Sequence, residues 1–479
     1  MTGTHAPKTS VQPTNKGLLT VSGLLLTMCC VTMGAHGDGL DDCVKHEMQA
    51  HGIPAVSLAI IQDRHLLWVR AYGTTAAGEG TAITSETLFQ AASISKVPTA
   101  ACALMLVQKG VLTLDDNVNN WLKDWKVPEN EFTRNEKVTV RRILSHTAGF
   151  SVHGFIGYGR GQTIPQLTDI LNGAGVANNA PIRVESIPGS QWKYSGGGYT
   201  VLQKVMIDVT GQPFPALMRE MILDPLKMEH STFEQPLPAA MQTSAACGQL
   251  PGGEKLPGQW HTFPEMAAAG LWTTPSDLAR LFIAIQEALG GRTDGVISPA
   301  VAQWMATPVR NADGLGLLLS GTANEFFGHD GRNAGFDSLV RCSATDGVAI
   351  MMNANDNSGA LDRICNAAWT AARLKPAAPR PNTTLDPTVD PKTYPDYVGR
   401  YDYGRSINEI TAENGHLYTQ LTGQQRFELF PSGHDAFFLK VVEAGLIFQR
   451  DANGKVTGLM HIQNGKAFSV PKLPAATSP

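Results

Sequence analysis

The sequence predicts an α+β protein: an antiparallel sheet flanked by helices with an added helical region, followed by a small all-β barrel. Three observations carry this. Strand-like runs come in pairs at the two ends of a long first stretch, at 55–73 and 338–353, with mostly helical and loop-like chain between them. Residues 376–392 are proline-rich and lack apolar periodicity, as in a stiff linker. Beyond them, short apolar runs alternate with turn residues. A chain of 479 residues also exceeds one ordinary core, so two folded units are expected. The boundaries read as an export signal over 1–37, a first domain over 38–375, the linker over 376–392 and the barrel over 393–475.

At the N-terminus, Lys8 and Lys16 precede an uncharged run over 17–37 that ends in the small residues Gly34, Ala35 and Gly37. That order, positive then apolar then small, is that of a cleaved export signal, with cleavage after residue 34 to 37. The protein is therefore expected to be periplasmic or secreted, with an uncleaved anchor as the alternative. A short amphipathic helix follows at 44–51. The runs 55–61 and 65–73 flank the polar turn Gln62-Asp63-Arg64 and read as a hairpin; 338–342 and 347–353 form a similar pair. In between, Leu278, Leu281, Phe282, Ile285 and Leu289 repeat at helical spacing behind Thr274-Pro275-Ser276, which predicts a helix over 276–289. In the last unit, Glu413-Asn414-Gly415 and Asp451-Ala452-Asn453-Gly454 mark turns between short strands.

Composition narrows the function classes. Lysine and arginine total 38 against 42 acids, a net charge of −4 without basic or acidic blocks, which excludes an electrostatic nucleic-acid binder. Beyond the signal, no segment is apolar enough to cross a bilayer. Of seven cysteines, Cys29 and Cys30 leave with the signal. The remaining Cys43, Cys102, Cys247, Cys342 and Cys365 are widely spaced, and an exported chain allows a bridge such as Cys342 to Cys365 or one from Cys43.

The chemistry centres on Ser93-Ile94-Ser95-Lys96, where an extended segment enters an Ala- and Leu-rich helix with Pro98 in its first turn. Residues three apart share a helix face, so the Lys96 amine reaches the Ser93 hydroxyl. Burial would lower the lysine pKa and make it a base, and the helix N-terminus favours developing negative charge. Taken alone, the spacing fits a capping serine with a solvated lysine equally well. The second such pair, Ser190 and Lys193, follows Pro188-Gly189 and precedes glycines, so no helix holds it together. Two further segments favour chemistry at the first pair. Tyr194 lies on a loop before a helical stretch at 201–209, and His329 lies on a short strand beside Gly328 and Gly331. His146, at a helix end in Leu144-Ser145-His146-Thr147-Ala148-Gly149, reads as a structural hydrogen-bonder.

Together, Ser93-Ile94-Ser95-Lys96, Leu144 to Gly149, Tyr194-Ser195-Gly196 and His329-Asp330-Gly331 resemble, in order, the motifs of the serine β-lactamase and penicillin-binding-protein superfamily. The match is nearest its class C-like branch, with D-alanyl-D-alanine carboxypeptidases, D-aminopeptidases and family VIII carboxylesterases. Gly110 to Asp116 and Ala268 to Leu278 extend the resemblance over roughly residues 40–370, and the tail from Tyr394 resembles the lipocalin-like barrel of some members. The resemblance implies an acyl-enzyme on Ser93, with Lys96 and Tyr194 sharing the proton relay and no order fixed between them. It also implies an oxyanion hole made by the N–H groups of Ser93 and Arg332, and substrate contacts from His329, Gly331 and Gly196.

Two departures from the family pattern bear on the substrate. Gly196 stands where the family often has an asparagine, and His329-Asp330-Gly331 replaces a Lys-Thr-Gly triplet that holds a substrate carboxylate. Histidine is only partly cationic at neutral pH. Weak or no β-lactam hydrolysis is expected, with peptidase, amidase or esterase activity on a less acidic small molecule or peptide. The rival reading is a catalytically silent binder of peptidoglycan fragments or β-lactams. His46, Glu47 and His51 have the wrong spacing for a zinc helix, and residues 149–154 miss the nucleophile-elbow pattern. No metal or organic cofactor is expected. The barrel is expected to pack against or partly cover the mouth of the active site.

Overall fold

The computed structural model describes residues 38–474 apart from 77, 79, 310–312, 322–323, 373–382, 384, 405, 443, 452 and 464–465. The expected export signal and most of the expected linker lie outside the described residues. Helix α1 spans Asp38–His51, starting six residues before the expected 44. The hairpin β1 (Ala55–Gln62) and β2 (His65–Gly73) turns at Asp63 and Arg64, both at positive φ. The inserted region includes helix α2 (Lys96–Gln108), short helix α3 (Val140–Leu144), α4 (Gly196–Thr210), the single turn α5 (Met266–Ala269) and α6 (Pro275–Leu289). Strands β3 (Leu318–Ser320), β4 (Phe326–Asn333), β5 (Phe336–Cys342) and β6 (Gly347–Met352) follow, then α7 (Ala360–Ala371).

The six strands form one antiparallel sheet in the order β2-β1-β6-β5-β4-β3, so the first strands of the domain sit beside its last. Because successive side chains point to opposite faces and both faces of β1 are covered, the strand is apolar except for Ser57 and Gln62. Ala55, Ala59 and Ile61 face the core shared with α6, whereas Val56, Leu58 and Ile60 face α1 and α7, packing with Leu40, Val44, Ile364 and Trp369. Leu278, Leu281, Phe282 and Ile285 of α6 are completely buried, and each such side chain contributes about 1.5–3 kcal/mol. The helix is capped by the Thr274 hydroxyl, which accepts from the Asp277 N–H at 3.2 Å.

The tail is a nearly closed eight-stranded antiparallel barrel of β7 (Gly399–Asp402), β8 (Ile407–Glu413), β9 (His416–Leu421), β10 (Phe427–Gly433), β11 (Ala436–Leu439), β12 (Ala444–Arg450), β13 (Val456–Gln463) and β14 (Lys466–Pro471). Its seam is joined by the Tyr401 to Lys472 bridge and by the Leu473 N–H donating to the Arg400 carbonyl at 2.7 Å. Asn414 and Gly415, both at positive φ, make the β8–β9 turn. The linker is shorter than expected at its far end: the Asp386 N–H donates to the Pro431 carbonyl at 2.8 Å, so the chain docks on the barrel there. Cys43, Cys102, Cys247 and Cys342 are thiols, so neither bridge that the sequence allowed is formed.

Candidate active site

Ser93 sits on a 3₁₀ turn, Ala92–Ser95, immediately before α2 rather than within it. The turn is fixed from several sides. The Ala91 N–H donates to the Leu271 carbonyl at 2.9 Å, and the Ala91 carbonyl accepts from the Ser338 hydroxyl at 2.9 Å. The Ser95 hydroxyl donates to the Ala92 carbonyl at 2.5 Å and accepts from the Leu271 N–H at 3.0 Å. Ala92 itself is held at φ +48°, a left-handed conformation that costs an alanine about 1–2 kcal/mol. That strain aims the next side chain, Ser93, into the cleft.

Lys96, the first residue of α2, is completely buried; its Nζ lies 3.0 Å from Ser93 Oγ and 2.7 Å from the Ala268 carbonyl of α5. Burial pulls its pKa down to about 7, with the nearby Asp330 carboxylate pulling the other way. The Tyr194 hydroxyl shares a hydrogen bond with Ser93, and burial raises its pKa well above the usual phenol value. One group is therefore poised between protonation states at neutral pH, and the other is held neutral.

The tyrosine loop leads into α4, which starts five residues before the expected 201. The three glycines form its first turn because the Ser195 hydroxyl caps it, accepting from the Gly198 N–H at 3.0 Å. A Cβ at Gly197 would lie 2.9 Å from the Ser151 carbonyl oxygen, which explains a glycine inside a helix, and Gly196 lines the cleft. His146, at φ +56°, accepts from the Ser195 N–H on Nδ1 at 3.2 Å, and its ring lies 4.2 Å from that of Tyr194. Burial holds this imidazole neutral, a buttress for the tyrosine rather than a base.

Strand β4 forms the opposite wall. His329 is buried, its Nδ1 lies 2.5 Å from the Asp330 carbonyl oxygen, and its ring centre is 6.2 Å from that of Tyr194. Gly331 packs against the nucleophile turn, where a Cβ would lie 2.3 Å from the Ala91 carbonyl oxygen and 2.9 Å from the Ser93 nitrogen. Asn333 and Phe336 close a two-residue turn, so the antiparallel alternation directs the Arg332 N–H out of the β4–β5 ladder. Its partner on that edge, β3, pairs only with Phe326 to Gly328. The Arg332 guanidinium is engaged elsewhere, on Asp337 at 2.7 and 2.8 Å and on Asn357 at 2.7 Å.

Ser93, Lys96, Tyr194, Gly196, His329, Gly331 and Arg332 thus line one cavity of about 780 Å³. Sequence reasoning missed other parts of it. The Ala268 carbonyl that anchors Lys96 is a backbone group and leaves no side-chain signal. Asn333 ties the walls together, donating to Gln90 Oε1 at 2.9 Å and to the Ala269 carbonyl at 3.1 Å. Trp192 Nε1 donates to Asp313 at 2.5 Å, and Phe155, Leu318, Leu319, Val441 and Val442 supply an apolar rim.

The Beta-lactamase family model matches residues 40–374, more than half of the chain. The chain belongs to the beta-lactamase family. Residues 385–468 match a second model, a domain of unknown function called DUF3471, which covers the barrel. Among beta-lactamase-family relatives, Penicillin-binding protein 4 of Amycolatopsis lactamdurans is 27% identical over 338 residues, 67% of this chain and 85% of that protein. Penicillin-binding protein 4* of Bacillus subtilis (strain 168) is 23% identical over 413 residues, 80% of this chain and 87% of that one. The fold of the octameric penicillin-binding protein homologue from Pyrococcus abyssi matches 91% of this chain and 98% of that one with a TM-score of 0.61, at 21% identity. Members of this family are mostly serine hydrolases.

Proposed function

We propose that the protein is an exported serine hydrolase that opens an amide or ester through an acyl-enzyme on Ser93. The observation that carries this reading is a completely buried amine 3.0 Å from a serine hydroxyl, a burial that draws its pKa down to about 7. In the neutral form Lys96 takes the Ser93 proton as Oγ bonds to the substrate carbonyl carbon. Negative charge on the carbonyl oxygen is met by the N–H groups of Ser93 and Arg332, each such donor being worth about 3–4 kcal/mol in the transition state. Collapse breaks the bond to the leaving group. Tyr194 gives its proton to the departing nitrogen or oxygen and recovers one from the Lys96 ammonium. Water then gives a proton to the same pair as its oxygen bonds to the acyl carbon; the pair passes that proton to Oγ as the acyl C–Oγ bond breaks, releasing the acid and free Ser93.

The raised phenol pKa favours Lys96 over Tyr194 as the first base, an order the motifs left open. A relative named putative D-alanyl-D-alanine carboxypeptidase, from Salmonella agona (strain SL483) and 25% identical over 242 residues, supports a peptide containing D-amino acids as substrate, with short-chain esters as the simpler surrogate. With Asp313 and Asp330 on the cleft wall and no Lys-Thr-Gly triplet, a substrate carboxylate has a poor seat, and β-lactam turnover should be weak.

The test is a panel of p-nitrophenyl esters, D-alanyl peptides, D-amino-acid amides and nitrocefin, read against Ser93→Ala. Turnover of at least one ester or amide, lost in the variant, is the expected result. Saturable binding of the same compounds with no turnover by the wild type would replace the hydrolase with a silent binding protein.

A further inference from the structure

Part of the catalytic cavity's wall comes from the barrel. Val441 and Val442, some 350 residues from Ser93 in sequence, line the cavity together with Phe155, Trp192, Leu318 and Leu319. They lie in the connection between β11 and β12, and remain 66% and 39% exposed. Hairpin turns are normally built of polar residues and glycine, because an apolar tip gains nothing from water. Two adjacent valines at such a tip are the wrong chemistry for a bare loop and the right chemistry for a wall that is covered when the cavity fills. The turn is also anchored. The Ala444 N–H donates to the Val442 carbonyl at 2.8 Å, Lys440 Nζ lies 3.6 Å above the Phe430 ring, and Phe438 and Leu439 beneath are buried.

We infer that the β11–β12 turn is a specificity element: Val441 and Val442 complete a subsite for a bulky apolar group of the substrate, remote from the scissile carbonyl. The proposal rests on the hydrolase reading above and narrows its substrate to one carrying a hydrophobic side chain or acyl chain. The barrel then takes part in substrate choice, while the nucleophile, its base and the oxyanion donors all stay in the first domain. Both valines are well exposed and at a tip, so replacing them leaves the barrel core intact.

The experiment compares the wild type with the double variant V441S/V442S on p-nitrophenyl acetate and p-nitrophenyl hexanoate, and on D-alanine and D-leucine p-nitroanilides. For the apolar member of at least one pair, kcat/KM should fall about 10-fold or more, within the range that hydrophobic subsites discriminate. Values for the small member and the rate of fluorophosphonate labelling at Ser93 should stay within about twofold. V441L/V442L should restore the preference. Equal effects on large and small substrates, or no effect on either, overturn the subsite while leaving the hydrolase reading in place. A wild type that neither labels nor turns over any of the four overturns both.

Discussion

A methyl group added at residue 331 would meet the Ala91 carbonyl oxygen, the Ser338 hydroxyl and the Ser93 nitrogen, all within 2.9 Å. The strand and the nucleophile turn can separate only by moving the Ser93 N–H, so Gly331→Ala should lower kcat about 10²–10³-fold. Unchanged circular dichroism would show that the loss is local, and full activity would show that the turn gives way freely. At Lys96 the prediction concerns pH. Burial lowers its pKa to about 7, so the neutral, proton-accepting form is lost as pH falls through that value, and kcat/KM should drop on the acid side with an inflection there. Lys96→Arg, permanently cationic, should lose about 10²–10⁴ of the rate at every pH; a retained rate would mean another base. Residues of this kind were legible in the sequence because their chemistry depends on side-chain type at fixed spacing. Asp313 was not, since a lone aspartate outside any motif looks like any solvated acid until Trp192 is seen to donate to it.

Among the elements, the single turn α5 holds the Lys96 anchor, and Glu265 sits just before its first residue without a side-chain capping bond. That carboxyl is completely buried, and neither of its oxygens has a hydrogen-bond partner on another described residue. Burial pushes its pKa from 4.5 up to about 8. The folded state therefore favours the protonated acid, and the associated stability is complete below about 4.5 and lost as pH rises through 8, on the order of 5 kcal/mol over the span. Glu265→Gln, which cannot ionise, should be more stable than the wild type at pH 8 by denaturant midpoint, with the gap shrinking toward pH 5. A gap independent of pH would mean that the carboxyl does not titrate in this window. The helix over 276–289 and both hairpins of the sheet were readable from period and turn chemistry, and α6 differs from expectation by one residue. The start of α4 was not, because three consecutive glycines carry a loop signature that close packing on Ser151 overrides.

For the whole molecule, two units, the second a barrel, could be read from the change in texture after the prolines, and strands from both ends of the first domain meet as the hairpin spacing implied. What the sequence could not show is which turn of the barrel faces the cleft, since nothing local distinguishes Val441-Val442 from a strand end. The cysteines give a molecule-wide test. Cys102 and Cys342 are buried thiols, the first pushed up to about 12 by desolvation and the second also raised, so both should resist oxidation and alkylation in the native state. The melting temperature should be the same within about 1 °C with and without reductant, whereas a structural disulfide contributes about 2–5 kcal/mol and would make the two differ clearly.

The most direct probe of the proposed chemistry is the rate of fluorophosphonate labelling as a function of pH, with the modified residue located by peptide mass mapping. The account predicts a single phosphonylated residue, Ser93, labelled at a rate that rises with pH through one inflection near 7. Label on any other residue, or a rate that climbs only near pH 10 as an ordinary lysine or phenol deprotonates, would contradict it.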